Sequence, residues 1–114
     1  MPHFVIDCSE NITSLKTPEE IMEAVYDIAE STGLFAEGDI KVRIDPFKYF
    51  KLGPSKKDFI HIFGNMMEGR DISQRSNLSN KIISRLKLMF PDVPIISINI
   101  REFEKATYCN RSMV

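Results

Sequence analysis

Two stretches of this chain repeat one pattern at nearly one interval, and the repetition restricts the fold more than any other feature. His3-Phe4-Val5-Ile6 stands 56 residues before Phe59-Ile60-His61-Ile62, and Lys41-Val42-Arg43-Ile44 stands 56 before Ser97-Ile98-Asn99-Ile100. The first of these stretches and Ile40 to Ile44 alternate with the two-residue period of a half-buried strand. Between them runs a helical stripe, Ile21, Val25, Ile28, Ala29 and Thr32, answered by Leu78, Ile82, Leu86 and Met89 in the second half at a shift of 57. One extra residue in the second strand-to-helix loop reconciles the two shifts. Each half is then a β-α-β unit, approximately residues 2–46 and 58–103, with a polar tail over 104–114. The parallel crossover is right-handed almost without exception, so both helices fall on one face of a four-stranded sheet. The expected class is α+β, in a single domain spanning 1–114.

Local punctuation agrees with this reading. Thr17-Pro18-Glu19-Glu20 supplies an N-cap, a proline at the first helical position and acids where the helix dipole favours them, and Gly33 supplies the stop. Pro46 is expected to close the second strand or kink its edge. From Phe47 to Lys57 the composition turns to Lys, Gly, Pro and Ser with three aromatics, an irregular excursion between the halves. Asp58 to Met67 is apolar on both faces and reads as a central strand. Gly69-Arg70-Asp71 turns into the second helix, which Pro91 ends, and Ile95 to Phe103 is the last strand.

Composition serves mainly to exclude. With 114 residues, 43% of them hydrophobic, the chain can bury one modest core. Fifteen Lys and Arg against 16 Asp and Glu leave a formal charge of -1, which gives no basic field for nucleic acid. No apolar run approaches the ~18 residues a membrane span needs, and the first residues resemble no secretory signal, so a cytoplasmic location without membrane contact is expected. Cys8 and Cys109 have no metal or redox spacing and read as reduced thiols. Gly-rich phosphate loops, a Ser-His-Asp order and CxxC pairs are all missing from the sequence.

The chemistry that remains centres on Pro2. Removal of Met1 turns its nitrogen into a free secondary amine, and an α-amino group titrates near ~7.7 to 8, lower when buried or near positive charge. A base poised near the working pH is what proton transfer needs. The sheet face away from the helices carries His3, Val5, Asp7, Lys41, Arg43, Phe59, His61, Phe63 and Asn99. That set is too apolar to be left to water and is expected to pack against other copies of the chain. Lys41 and Arg43, two like charges beside apolar neighbours, invite an anion, whereas Arg70 alone reads as a solvated charge at a helix start. His3 and His61 read as hydrogen-bonded structural histidines, since no third metal ligand accompanies them.

Three segments carry a resemblance: Pro2-His3-Phe4-Val5-Ile6-Asp7-Cys8-Ser9-Glu10-Asn11-Ile12, Phe59-Ile60-His61 followed by Gly69-Arg70, and Ala106-Thr107-Tyr108. They resemble the 5-carboxymethyl-2-hydroxymuconate delta-isomerase family of the tautomerase superfamily, over nearly the whole chain. The resemblance implies a tautomerase-like homotrimer, no metal, no organic cofactor, and a dicarboxylate substrate from aromatic-acid breakdown. It also implies that Pro2 is the catalytic amino-terminal proline, and that Arg70, Arg43 and Lys41 are substrate-binding residues. Lys41 keeps the charge of that pattern without the planar fork that grips a carboxylate twice. Two rival readings are a tautomerase relative acting on another enol acid such as phenylpyruvate, and a non-catalytic oligomeric ligand-binding module. A small panel of enols separates the first, and intact mass bears on the second, because a retained Met1 makes the Pro2 nitrogen a tertiary amide without basicity.

Overall fold

Alternation in the strands sorts their side chains into a helix-facing layer and an open layer. In the computed structural model, which describes residues 1–55 and 57–114, Phe4, Ile6 and Cys8 of β1 (His3–Ser9) are fully buried while His3, Val5 and Asp7 are half-buried. Lys56, inside the expected irregular stretch, lies outside the described residues. The remaining strands are β2 (Lys41–Phe47), β3 (Phe59–Met67) and β4 (Ile95–Phe103). They form one sheet in the order β2-β1-β3-β4, parallel within each half and antiparallel where β1 meets β3. This is the expected α+β class.

The register departs from the sequence repeat in one respect. His3 pairs with Lys41, but Phe59 pairs with Ile95, and it is His61 that pairs with Ser97. The second unit is slipped by two residues, the smallest slip that leaves every side chain on its face. The repeat in the letters therefore aligns strands whose hydrogen-bond partners differ.

Among the described residues three α-helices accompany the sheet: α1 (Ile12–Leu15), α2 (Pro18–Ser31) and α3 (Ile72–Met89). The two long ones start at capping boxes, Thr17 with Glu20 and Asp71 with Gln74, each satisfying donors the first turn leaves free. Gly33 follows α2 at φ 71°, a conformation that costs glycine nothing. Ile21, Val25 and Ala29 of α2 and Leu78, Ile82 and Leu86 of α3 join Phe4, Ile6, Ile60, Ile62 and Met66 in one buried cluster. Both long helices thus cover the same face. The short α1 has no counterpart in the sequence reading; it buries Ile12 alone, too little for a periodic signal.

Pro46 lies inside β2, paired with Cys8, and the strand runs on to Phe47. A proline is tolerated there because β2 is an edge. Beyond it, Phe47 and Phe50 turn back onto Phe59, with ring centroids 6.4 and 5.4 Å away. The tail also folds back: Tyr108 stacks on Phe103 at 5.5 Å.

Candidate active site

Because β1 runs antiparallel to β3, the sheet has an end at which β1 and β2 start and β3 and β4 finish. His3 pairs with both Lys41 and Asn65, and Asn65 with Arg101, so these four residues make one row across that end. Paired residues share a face, and Val42 and Ile44 pack on the core, so Lys41 and Arg43 belong to the open face. The row is wired by hydrogen bonds. Arg43 Nη1 donates to His3 Nδ1 (3.2 Å), Asn65 Nδ2 to the His3 carbonyl (3.3 Å), and Arg101 Nε to Asn65 Oδ1 (2.9 Å).

Pro2 sits one residue before this row. Its ring is fully buried, and its carbonyl accepts from the Lys41 amide at 3.0 Å. In the chain that carries Met1, the terminal amine reaches Asp39 Oδ2 at 2.5 Å. Lys41 Nζ donates to the Asp39 carbonyl at 2.6 Å and lies 3.6 Å from Asp39 Oδ1. That carboxyl is held below its usual range by its bond to the terminal amine, then by the charges of the amine and Lys41. The His3 imidazole is pushed down by burial first, with Arg43 and Lys41 adding to it.

Arg70 occupies the other face of the same end. Its Nη2 donates to the Leu34 carbonyl at 2.7 Å and its Nη1 to Met67 at 3.2 Å, while the guanidinium lies 4.9 Å from the Phe35 ring centroid. Phe35 in turn meets Phe4 edge-on at 6.0 Å. Pro2 and Phe4 share strand parity, so the ring of Pro2 and the guanidinium of Arg70 are both on the helix side. Among the described residues no hydrogen bond or ion pair joins Arg70 to Pro2, Lys41 or Arg43. The structure therefore gathers the four residues singled out from sequence at one end of the sheet, divided between its two faces.

Asp39, Asn65 and Arg101 escaped sequence reasoning. Asp39 has one local signal, the Gly38-Asp39 turn ahead of a strand, but its partner is 38 residues away. Arg101 could have been found by continuing the alternation of Ser97 and Asn99 by one more step. His61 lies farther along the open face with both ring nitrogens engaged, Nδ1 with Ser97 Oγ (2.6 Å) and Nε2 with Asn99 Oδ1 (2.7 Å). The amide oxygen can only accept, so Nε2 carries a proton, and in the neutral ring Nδ1 accepts from the serine hydroxyl. Among the described residues no group of three or more His, Cys, Asp or Glu is placed to hold a metal, and no helix is long and apolar enough to cross a membrane.

Comparison with known proteins gives this geometry a context. The family described as 5-carboxymethyl-2-hydroxymuconate isomerase matches residues 2–113. A relative from Escherichia coli named 5-carboxymethyl-2-hydroxymuconate Delta-isomerase is 23% identical over 92 residues, covering 79% of this chain and 73% of that protein. The solved structure of a 5-carboxymethyl-2-hydroxymuconate isomerase from Deinococcus radiodurans R1 matches with a TM-score of 0.84 at 18% identity, over 96% of this chain and 88% of that one. A fused 4-OT symmetric trimer matches with a TM-score of 0.73 at 12% identity, over 98% and 95% of the two chains. At such identities the structural likeness bears on the fold, and the family match bears on the class of reaction.

Proposed function

We propose, from the premise that the chain belongs to the 5-carboxymethyl-2-hydroxymuconate isomerase family, that it is a cytoplasmic, homotrimeric isomerase of one tautomerase-like domain per subunit. Its substrate is an unsaturated 2-hydroxy dicarboxylate of the 5-carboxymethyl-2-hydroxymuconate type, from aromatic-compound breakdown. The reaction is an allylic keto-enol shift without metal or organic cofactor. After Met1 is removed, the neutral Pro2 nitrogen takes a proton from the enol or an acidic carbon. It then returns that proton farther along the conjugated system, serving as base and then as acid.

The observation that carries this reading is the placement of Pro2. Its ring is buried and its carbonyl is pinned by Lys41, at the sheet end that also holds Arg43 and Arg70. The developing dienolate carries negative charge beside a carboxylate. Guanidinium and ammonium groups at Arg70, Arg43 and Lys41 orient the substrate and stabilise that charge, an effect whose loss costs about 3 to 4 kcal/mol in comparable sites. The cations lie on both faces, which suits a ligand with an acid at each end, in a site that a neighbouring subunit completes along the open face.

Pro2→Ala, in a chain whose intact mass shows Met1 removed, tests the reading. Folding by circular dichroism and the oligomeric state should persist, and ketonisation of a 2-hydroxymuconate should fall by about a hundredfold or more. Full activity in that variant ends the proline reading. A panel of enols including phenylpyruvate, run with the parent protein, fixes the substrate class.

A further inference from the structure

We infer that Asp39 is a positioning residue for the Pro2 amine: once Met1 is gone, the carboxylate that holds the Met1 ammonium holds the Pro2 ammonium instead. This rests on the reading of Pro2 as the base and adds the group that governs its proton.

The geometry comes from the unprocessed end. The Met1 nitrogen and the Pro2 nitrogen are separated by three bonds, under about 4 Å. Asp39 Oδ2 is 2.5 Å from the first, which places it within about 6 Å of the second. Two contacts keep Pro2 and Asp39 in register whatever the terminus does. The Lys41 amide donates to the Pro2 carbonyl at 3.0 Å, and the Asp39 amide donates to the Ala36 carbonyl at 3.1 Å, closing the turn that presents the carboxylate. Loss of Met1 frees Oδ2 without disturbing either contact. A secondary ammonium with two N–H donors then stands before an acceptor whose former donor has gone.

The charges around the pair decide the direction of its effect. Lys41 on β2 and His3 on β1 face it from the sheet, with Arg43 behind His3, and burial of the Pro2 ring works with the Lys41 charge to disfavour a charged amine. Among the described residues Asp39 is the one carboxylate in contact with the terminal amine or with Lys41, and it opposes that bias. Its task is to keep the Pro2 nitrogen basic enough to accept the proton and to orient the N–H that later returns it.

The test uses the processed chain, verified by intact mass, with nitrogen-15 in its prolines, as parent, Asp39→Asn, Asp39→Glu and Lys41→Met. Pro2 is titrated directly by its amine signal, and the pH dependence of kcat/KM is measured alongside. Asp39→Asn should lower the Pro2 pKa, and with it the acid limb of kcat/KM, by about one unit or more. Asp39→Glu should recover much of the shift, and Lys41→Met should move the amine the other way. An amine pKa unchanged in Asp39→Asn, in a variant whose circular dichroism matches the parent, overturns the inference, as does a limb that moves while the amine does not. If the amine shifts as expected but the parent is inactive on every enol tried, the Asp39 assignment stands and the proline-base reading fails.

Discussion

The Arg70 guanidinium donates at 2.7 Å to the Leu34 carbonyl, tying the turn before α3 to the segment that leaves α2. A group expected from the family resemblance to grip substrate is thus already committed to two carbonyls and an aromatic face. Arg70→Ala should cost about 1.5 to 3 kcal/mol in chemical denaturation, the range for hydrogen bonds to a charged donor. It should also raise KM for a dicarboxylate. An unchanged denaturation midpoint would show that these bonds add nothing to stability, and unchanged KM and kcat would remove Arg70 from the site.

Gly64 faces the helices from β3. A Cβ there would lie 2.8 Å from Ile100 Cδ1 and 3.3 Å from Phe4 Cε1. Ile100 can swing its terminal methyl, but the fully buried Phe4 ring has less room to give. Gly64→Ala should therefore destabilise by about 1 to 3 kcal/mol, and adding Ile100→Val, which removes that methyl, should return part of the loss. Strict additivity in the double-mutant cycle would mean the two positions do not compete for space.

His3 titrates below the usual histidine range because burial, Arg43 and Lys41 all disfavour its cation. Arg43→Ala should move its pKa upward, read by NMR of the imidazole. The folded value lies under the unfolded one, so the native state binds fewer protons. His3 therefore withdraws stability as pH falls below about 6.5, and Arg43→Ala should soften that loss. A His3 pKa that falls, or stays in place, in Arg43→Ala would contradict the contact.

Asp7 runs the opposite way. Its pKa is raised by burial first and by the neighbouring Asp45 second. A folded pKa above the unfolded one gives stability that is complete at low pH and is lost as pH rises through the folded value. Asp7→Asn should accordingly raise Tm at neutral pH and leave it nearly unchanged near pH ~3, where the carboxyl is protonated in both states. Equal Tm differences at the two pH values would rule out charge as the cause.

The parts of this fold that were legible in sequence are those written in a period. Ile21, Val25 and Ala29 on one helix and Leu78, Ile82 and Leu86 on the other are all buried where their spacing puts them. Ile12 repeats with nothing, so its helix left no trace. Pro46 reads as the close of its strand or a kink in its edge, and at the edge it is simply paired, with one more residue of strand beyond it. The polar tail over 104–114 hides Tyr108, whose partner Phe103 is close only after the chain turns back. At the candidate site the same division holds. Alternation puts Lys41 and Arg43 on one face, whereas the bond from the Met1 amine to Asp39 and those of Arg70 to Leu34 and Met67 depend on register and loop course, which no local pattern encodes.

A single β-layer separates Arg43 and Lys41 from Arg70, and among the described residues the two groups share no hydrogen-bond partner. Substitutions on the open face act on one side of the sheet, and changes to the Leu34–Phe35 segment, on which Arg70 sits, act on the other. In the proposed site the two grips are thus addressed from opposite sides: each end of the ligand would be re-specified by altering its own side of the sheet.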